Sequence, residues 1–304
     1  MQSPVARTLL EDLAWIAVSG PDARKFLQGQ VSQDVLGLPA DRVRLAGLHT
    51  PQGRAVAILR LVPLAGESLL LGLPTEIAAA VILRLRRYVL RAKLKIDDAS
   101  DAWLAAGLQG PGAAEALVAA GLLPEAAAIG ALARRADGCL AWRHDASPDR
   151  FIVLGPRTTG LPVALQPPRD EPEAAEARRA WQAADVAGGL PQVRNATAEA
   201  FVAQMLNLDA LQGICFEKGC YTGQEVIARA HYRGRVKRRL QRFRTLAATD
   251  AVLVPGDSGT LADGRAFRVV ESVRLADGRL EWLAVAPLPE GMGGEDEGAS
   301  AAAG

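Results

Sequence analysis

A chain of 304 residues with 49% hydrophobic and 23% charged residues is long enough for two or three cores and too apolar for a disordered protein. Its net charge of +1 gives no global attraction to nucleic acid or membrane, so any such affinity has to be local. Three cysteines without a CxxC, acids at Glu11 and Asp12 where a signal peptide needs an apolar run, and no apolar stretch of spanning length point to a reduced, soluble, cytoplasmic protein.

Leu13–Ser19 reads as a strand, and Gly20-Pro21-Asp22 opens a short helix through Phe26 and Leu27. Arg42–Leu48 and Arg54–Val62 are strands joined by a turn at residues 49–53, and Ser68–Leu73 is another. A helix follows, with Thr75 as its cap and Ile77, Val81, Leu85 and Val89 on one face. Lys93–Ile96, Leu140–Arg143 and Phe151–Leu154 are further strands. The polar, proline-rich segment 166–176 is a linker running into a helix that carries Trp181. Beyond it, Val236–Leu246, Ala251–Val254, Gly259–Leu261, Phe267–Val273 and Leu280–Ala286 are short strands with Asp-Gly turns, the pattern of a small β-barrel or sandwich. From residue 291 the sequence loses its apolar pattern and reads as a disordered tail.

Chemistry concentrates in Phe216–Arg229. A thiol reacts as its thiolate, and three local features favour that form at Cys220. Lys218 lies two residues away, Gly219 lets the backbone bend, and Thr222 with Glu225 fits a capping box that would set Cys220 before a helix N-terminus. A buried or turn cysteine beside solvated charges fits the same residues. Cys215, Cys220 and His231 do not have the paired spacing of a zinc site, so no metal is assigned.

Residues 216–244 carry nine cations against Glu217 and Glu225, and Arg84, Arg86, Arg87, Arg91, Lys93 and Lys95 form a second run without an acid. Such clusters suit phosphates, polyanions or a polyglutamate tail, and alternating solvated arginines explain them equally. No nucleic-acid-binding motif accompanies them, so direct nucleic-acid binding is not expected. Trp15 and Trp181 could each wall a flat aromatic ligand's slot or simply fill a core.

Three segments resemble the YgfZ family, folate-binding relatives of the glycine-cleavage T-protein: residues 26–35, FLQGQVSQDV; residues 88–96; and residues 207–239. Within the last, Lys218-Gly219-Cys220-Tyr221-Thr222-Gly223-Gln224-Glu225 matches the family's K-G-C-Y-x-G-Q-E signature in full. The resemblance implies an α+β, three-domain T-protein-like architecture: plait-like (ferredoxin-like) α/β domains and a small C-terminal β-barrel. On that pattern residues 1–165 form the plait-like folate-binding region, 166–236 the linker, helix and signature segment completing the cleft, 237–290 the barrel and 291–304 the tail. Two consecutive plaits and two interleaved ones fit residues 1–165 equally.

The resemblance further implies a tetrahydrofolate site in a central cleft and a role in making or maintaining iron–sulfur enzymes, tRNA-modifying ones among them. It assigns the catalytic role to Cys220 with Lys218, and cofactor contacts to Trp181, Trp15, Tyr221, Gln224, Glu225 and Arg229. Trp181 precedes an Ala-Gly-Gly-Leu-Pro turn as the family's folate-contacting tryptophan does; the family's first-strand position falls nearer Leu13, on the face that Trp15 shares. One departure separates this chain from the aminomethyltransferases. Where they carry an acidic pair, Gly53-Arg54-Ala55-Val56-Ala57-Ile58-Leu59 has no acid, leaving aminomethyl transfer without a general acid or base nearby. The expected partners are folate and iron–sulfur client proteins, with no membrane; a folate-dependent one-carbon transferase and a tRNA-binding module are the alternatives.

Overall fold

The computed structural model describes residues 5–124, 128–145, 149–168, 170–234 and 236–289. The tail expected at 291–304, and Arg235 of the basic stretch, lie outside the described residues. The first strand, β1 (Ala6–Leu9), does not join the strands that follow it directly. Those are β2 (Leu13–Ser19), β3 (Arg44–His49), β4 (Ala55–Pro63), β5 (Leu69–Pro74) and β6 (Lys95–Asp98), which pair antiparallel in the order β3-β4-β5-β2-β6. Helices α1 (Ala23–Gln28) and α2 (Thr75–Arg86) belong to this unit.

A second five-stranded sheet takes β1 together with β7 (Trp103–Gln109), β8 (Leu132–Arg134), β9 (Leu140–Asp145) and β10 (Arg150–Pro156), in the order β1-β7-β10-β9-β8. Helix α3 (Ala113–Ala119) covers its outer face through Ala113 and Leu117. Since β1 pairs with β7 while β2 pairs with β5, the chain starts in the second sheet before building the first. Two plait-like units thus share the N-terminal half.

Period-two alternation explains how the two sheets meet. Along β2, Ala14, Ile16 and Val18 face α1 and α2, whereas Trp15 turns to the other side and packs with Val62, Leu70, Trp142, Ile152, Leu154 and Trp181. Trp15 and Trp142 meet edge to face at 6.1 Å. Gly72, opposite Trp15 on β5, leaves room for the indole: a Cβ there would lie 2.6 Å from the ring.

Helix α4 (Glu171–Ala187) has proline in its first turn and Glu171 and Glu173 at its positive end. It packs on β1 and on the C-terminal sheet, and its Trp181 joins the apolar cluster between the two N-terminal sheets. After the signature segment and α5 (Gln224–Tyr232) come β11 (Arg238–Arg244), β12 (Ser258–Thr260), β13 (Ala266–Arg274) and β14 (Leu280–Pro287). They pair antiparallel in the order β11-β14-β13-β12. Among the described residues this small sheet stays open, with β11 and β12 as edges, and Ala251–Val254 forms no strand. Helix α2 also differs from expectation at both ends. Thr75 is the first residue of α2, with Pro74 before it and no side-chain cap, and Val89 lies beyond the helix end.

Gly72→Ala should lower the unfolding free energy by about 1–3 kcal/mol, because an added Cβ overpacks the Trp15 site. Urea denaturation checks this, and wild-type stability in the variant would show that the Trp15 packing is loose.

Candidate functional site

A cavity of about 350 Å³ opens where α4, β1, the segment before β2, the loop 190–194 and β13 converge. Its wall is apolar at Leu9, Leu13, Trp181 and Leu190, and its polar groups are unusually charged. Arg60 comes from the otherwise apolar β4, and burial pulls its guanidinium below the ordinary range. With the Gln192 amide oxygen turned toward it, that oxygen accepts from both terminal nitrogens at 2.6 and 3.0 Å. The Arg60 Nε–H is buried and has no partner among the described residues.

Glu271, at an irregularity in the β13–β14 register, also lines the cavity. Burial pushes its carboxyl up to about 7, although Arg194 Nε donates to it at 3.0 Å. Arg194 also reaches Asp12 at 3.3 Å. Asp185 stands on α4 beneath Trp181. Burial alone would raise its pKa, but the hydrogen bond with His144 (3.1 Å) and the charges of Arg150 and Arg60 hold it below the ordinary carboxylate range. The fully buried Arg150 donates to Asp185 at 2.7 Å and to the Trp181 carbonyl at 3.1 Å. Its guanidinium lies 4.0 Å from the Trp181 ring centroid, and His144 stacks on the same indole at 5.4 Å. Trp181 is thus a wall residue whose ring is already engaged within the protein.

These residues fit a folate. The cavity has the size of a small-molecule site, apolar on one side with a few convergent polar groups. A carboxyl such as Glu271 can accept from the amino and ring N–H donors of a pterin edge, and the unpartnered Arg60 N–H can meet an acceptor. Sequence reasoning sought the acid on the strand after Gly53 and found none. The cavity's acids come instead from three distant segments, at Glu11 and Asp12, Asp185, and Glu271. One signal was legible, the single charge of Arg60 inside the apolar β4, whereas Glu271 shares β13 with Arg268 and Arg274.

The signature segment lies elsewhere. None of Lys218 to Glu225 lines the cavity. The Lys218 Nζ donates to the backbone carbonyls of Gln28, Val31 and Gln33 at 2.5, 2.7 and 3.0 Å, with the Tyr221 ring 5.0 Å away. Burial pulls the ammonium down to about 8, opposed by Asp34 and Cys215. The expected Lys218–Cys220 partnership is therefore replaced: the cation is spent on segment 28–33, and the thiol it senses is Cys215. Cys220 itself is exposed.

Gly223 has φ of 85° and precedes α5 as its cap residue, where a Cβ would meet the Thr50 carbonyl at 2.5 Å. Thr222 thus forms no capping box. Its amide donates to Gly29 O at 3.3 Å, and Glu225 pairs instead with Arg229 across the exposed face of α5. Tyr221 is buried against the core, and burial pushes its hydroxyl up to about 12. Among the described residues the Gln224 side chain reaches only the Lys218 carbonyl, at 3.5 Å. Trp15, fully buried between the two sheets, is also absent from the cavity lining.

The segment docks on the β3–β4 turn, where Gly53 approaches Val226. Arg60 lies seven residues further along, about 23 Å at strand rise. The structure brings Lys218, Cys220 and Tyr221 together in one loop that leads into α5 at Gln224, and places Trp181 with Arg60, Asp185, Arg194 and Glu271 in the cavity. Under the loop sits His49, fully buried 6.4 Å from the Tyr221 ring, with neither ring nitrogen hydrogen-bonded among the described residues. Burial lowers its pKa to about 3.

The family model of the GCVT N-terminal domain matches residues 9–127. The tRNA-modifying protein YgfZ of Serratia proteamaculans (strain 568) is 33% identical over 290 residues, covering 93% of this chain and 84% of that protein. The protein of the same name from Edwardsiella ictaluri (strain 93-146) is 34% identical with the same coverage. Among solved structures, glycine cleavage system aminomethyltransferase T from Bartonella henselae superposes with a TM-score of 0.70 at 18% identity, over 94% of this chain and 79% of that one, a likeness of fold.

Lys218→Met should cost about 2–4 kcal/mol, since it strands three buried carbonyls, whereas Cys220→Ala should stay within about 0.5 kcal/mol. Chemical denaturation separates them; equal effects would contradict the anchoring role. His49 titrates near 6.5 in the unfolded chain and near 3 when folded, so its contribution is whole above about 6.5 and is lost as pH falls toward 3. Compared with His49→Leu, the wild type should lose about 2 kcal/mol more between pH of about 8 and 5. Parallel acid profiles would refute a buried neutral imidazole.

Proposed function

The chain belongs to the YgfZ family, and on that premise we propose that it is a tetrahydrofolate-binding accessory protein for iron–sulfur enzymes, tRNA-modifying ones included, acting through the Cys220 thiol. The carrying observation is an exposed cysteine on a loop whose neighbouring lysine is tied to three carbonyls of another segment. A thiol held out on a fixed loop can engage a partner protein without the rest of the molecule rearranging. Among the described residues no helix is long and apolar enough to cross a membrane.

Folate belongs, in this reading, to the cavity beside Trp181. Tetrahydrofolate bound there would supply one-carbon carriage on its N5 and N10 nitrogens. The chain's residues would bind and orient it: Glu271 would accept from the pterin donors, Arg60 and Gln192 would form the polar floor, and the apolar wall would exclude water. The cavity and the thiol are then separate sites on one frame, and folate binding regulates or stabilises a protein whose chemistry occurs at Cys220. Glu271 supports a second reading, folate-dependent one-carbon transfer, because a carboxyl near 7 can move a proton at neutral pH.

In cells lacking the wild-type protein, Cys220→Ala should fail to support an iron–sulfur tRNA-modifying enzyme, while purified Cys220→Ala binds tetrahydrofolate within about threefold of wild type. Glu271→Gln should weaken that binding about tenfold or more, read by tryptophan fluorescence. Full client activity in Cys220→Ala would sink the proposal. Turnover of an aminomethyl donor, lost in Glu271→Gln, would establish the second reading instead.

A further inference from the structure

The two basic runs of the sequence meet different fates. In the C-terminal run, Arg239 bonds Asp209, and Arg242 and Arg244 converge on Glu281, so much of its charge is neutralised. In the run 84–95, Arg84 and Arg86 pair with Glu199 and Asp97. Arg87, Arg91, Lys93 and Lys95 are exposed, and among the described residues none of their side chains has an ion-pair partner. Apolar groups stand among them: Leu90 is 87% exposed and Tyr88 46%. A surface with four free cations around an apolar centre is costly to leave bare and has the composition of an interface, with tyrosine and arginine as anchors.

This loop is joined to the Cys220 loop by a short rigid strut. The Asp22 carboxylate, at the start of α1, accepts from the Lys93 amide at 2.7 Å. At the other end of α1, the Gln28 carbonyl accepts from Lys218 Nζ at 2.5 Å and the Gly29 carbonyl from the Thr222 amide at 3.3 Å. Helix α1 has 6 residues, a rise of about 9 Å. Lys93 of the basic loop and the residues flanking Cys220 are therefore tied to the two ends of one short helix.

We propose that the basic loop 87–95 is the docking surface for an acidic, leucine-bearing segment of a partner protein, which it holds beside the Cys220 thiol. The inference rests on the reading that Cys220 acts on a partner, and names the chemistry by which that partner is recognised. The free cations steer the acidic segment in, and Tyr88 and Leu90 bury its apolar side chain. A nucleic acid would be served by aromatic rings in series, and this loop has one.

The test uses two peptides, one of glutamate and leucine and one of serine, each bearing a cysteine activated as a thiopyridyl disulfide. The Cys220 thiolate attacks the peptide sulfur, forming the mixed disulfide and expelling thiopyridine thiolate, whose absorbance gives the rate; mass spectrometry assigns the adduct to Cys220. At low salt the acidic peptide should react about tenfold faster or more, and the advantage should vanish as salt rises. Arg87→Glu/Arg91→Glu/Lys93→Glu should abolish it, Leu90→Ser should slow the acidic peptide at every salt concentration, and Arg233→Glu/Lys237→Glu should leave it intact. An advantage retained by the triple variant overturns the proposal. So does competition by an oligonucleotide of equal charge with Leu90→Ser silent, which would make the loop a nucleic-acid surface. Failure of the functional reading appears separately, as client support unaffected by Cys220→Ala.

Discussion

One buried ammonium fixes the geometry of the signature segment. Three backbone carbonyls of residues 28–33 converge on Lys218 Nζ, and nothing but a triply donating cation satisfies them together. The same stretch is held again by the buried Ser32 hydroxyl, which donates to Gly213 O at 2.6 Å and accepts from the Gly47 amide at 2.8 Å. Two segments nearly two hundred residues apart are thereby locked as one unit. Cys220, two residues beyond the anchor, inherits a fixed position while staying in solvent. A reactive group needs that combination if it is to meet a partner at a defined place.

The cavity follows a different principle, since its charges compensate one another inside the protein. Arg150 and Arg60 are buried cations, Asp185 and Glu271 half-buried acids, and a charge held out of water is costly alone. Asp185 is satisfied by Arg150 and His144, so it serves the packing of Trp181. Glu271 is the less settled carboxyl, held up near 7 despite Arg194, and the Arg60 Nε–H lacks a partner. Under-satisfied polar groups gathered in an otherwise apolar cavity are what a polar heterocycle can complete.

Much of the fold was legible because strand periodicity is strong. Leu13–Ser19 reads off the sequence with the bounds it has in the structure, and the strands at 44–49, 55–63, 69–74, 140–145, 150–156 and 280–287 were found within two residues. Strand β1 is too short to announce itself, and β7 and α3 are built from alanine and glycine that show little pattern. At the site, adjacency misled. Lys218 stands two residues from Cys220 in sequence, yet its side chain runs into the core, and direction is set by where unsatisfied carbonyls lie. The capping box failed because Gly223 adopts a positive φ that a box does not use. The cavity's acids did not stand out for a simpler reason: they lie on elements joined only by tertiary packing.

The Cys220 thiol and the cavity proposed for folate are distinct sites on one frame. The rate of Cys220 alkylation by iodoacetamide, followed by mass spectrometry with and without saturating tetrahydrofolate, tests that separation. The two rates should be equal within about twofold, because none of the signature loop lines the cavity. Protection of about tenfold or more would place folate against Cys220 and contradict the separation on which the proposed function is built.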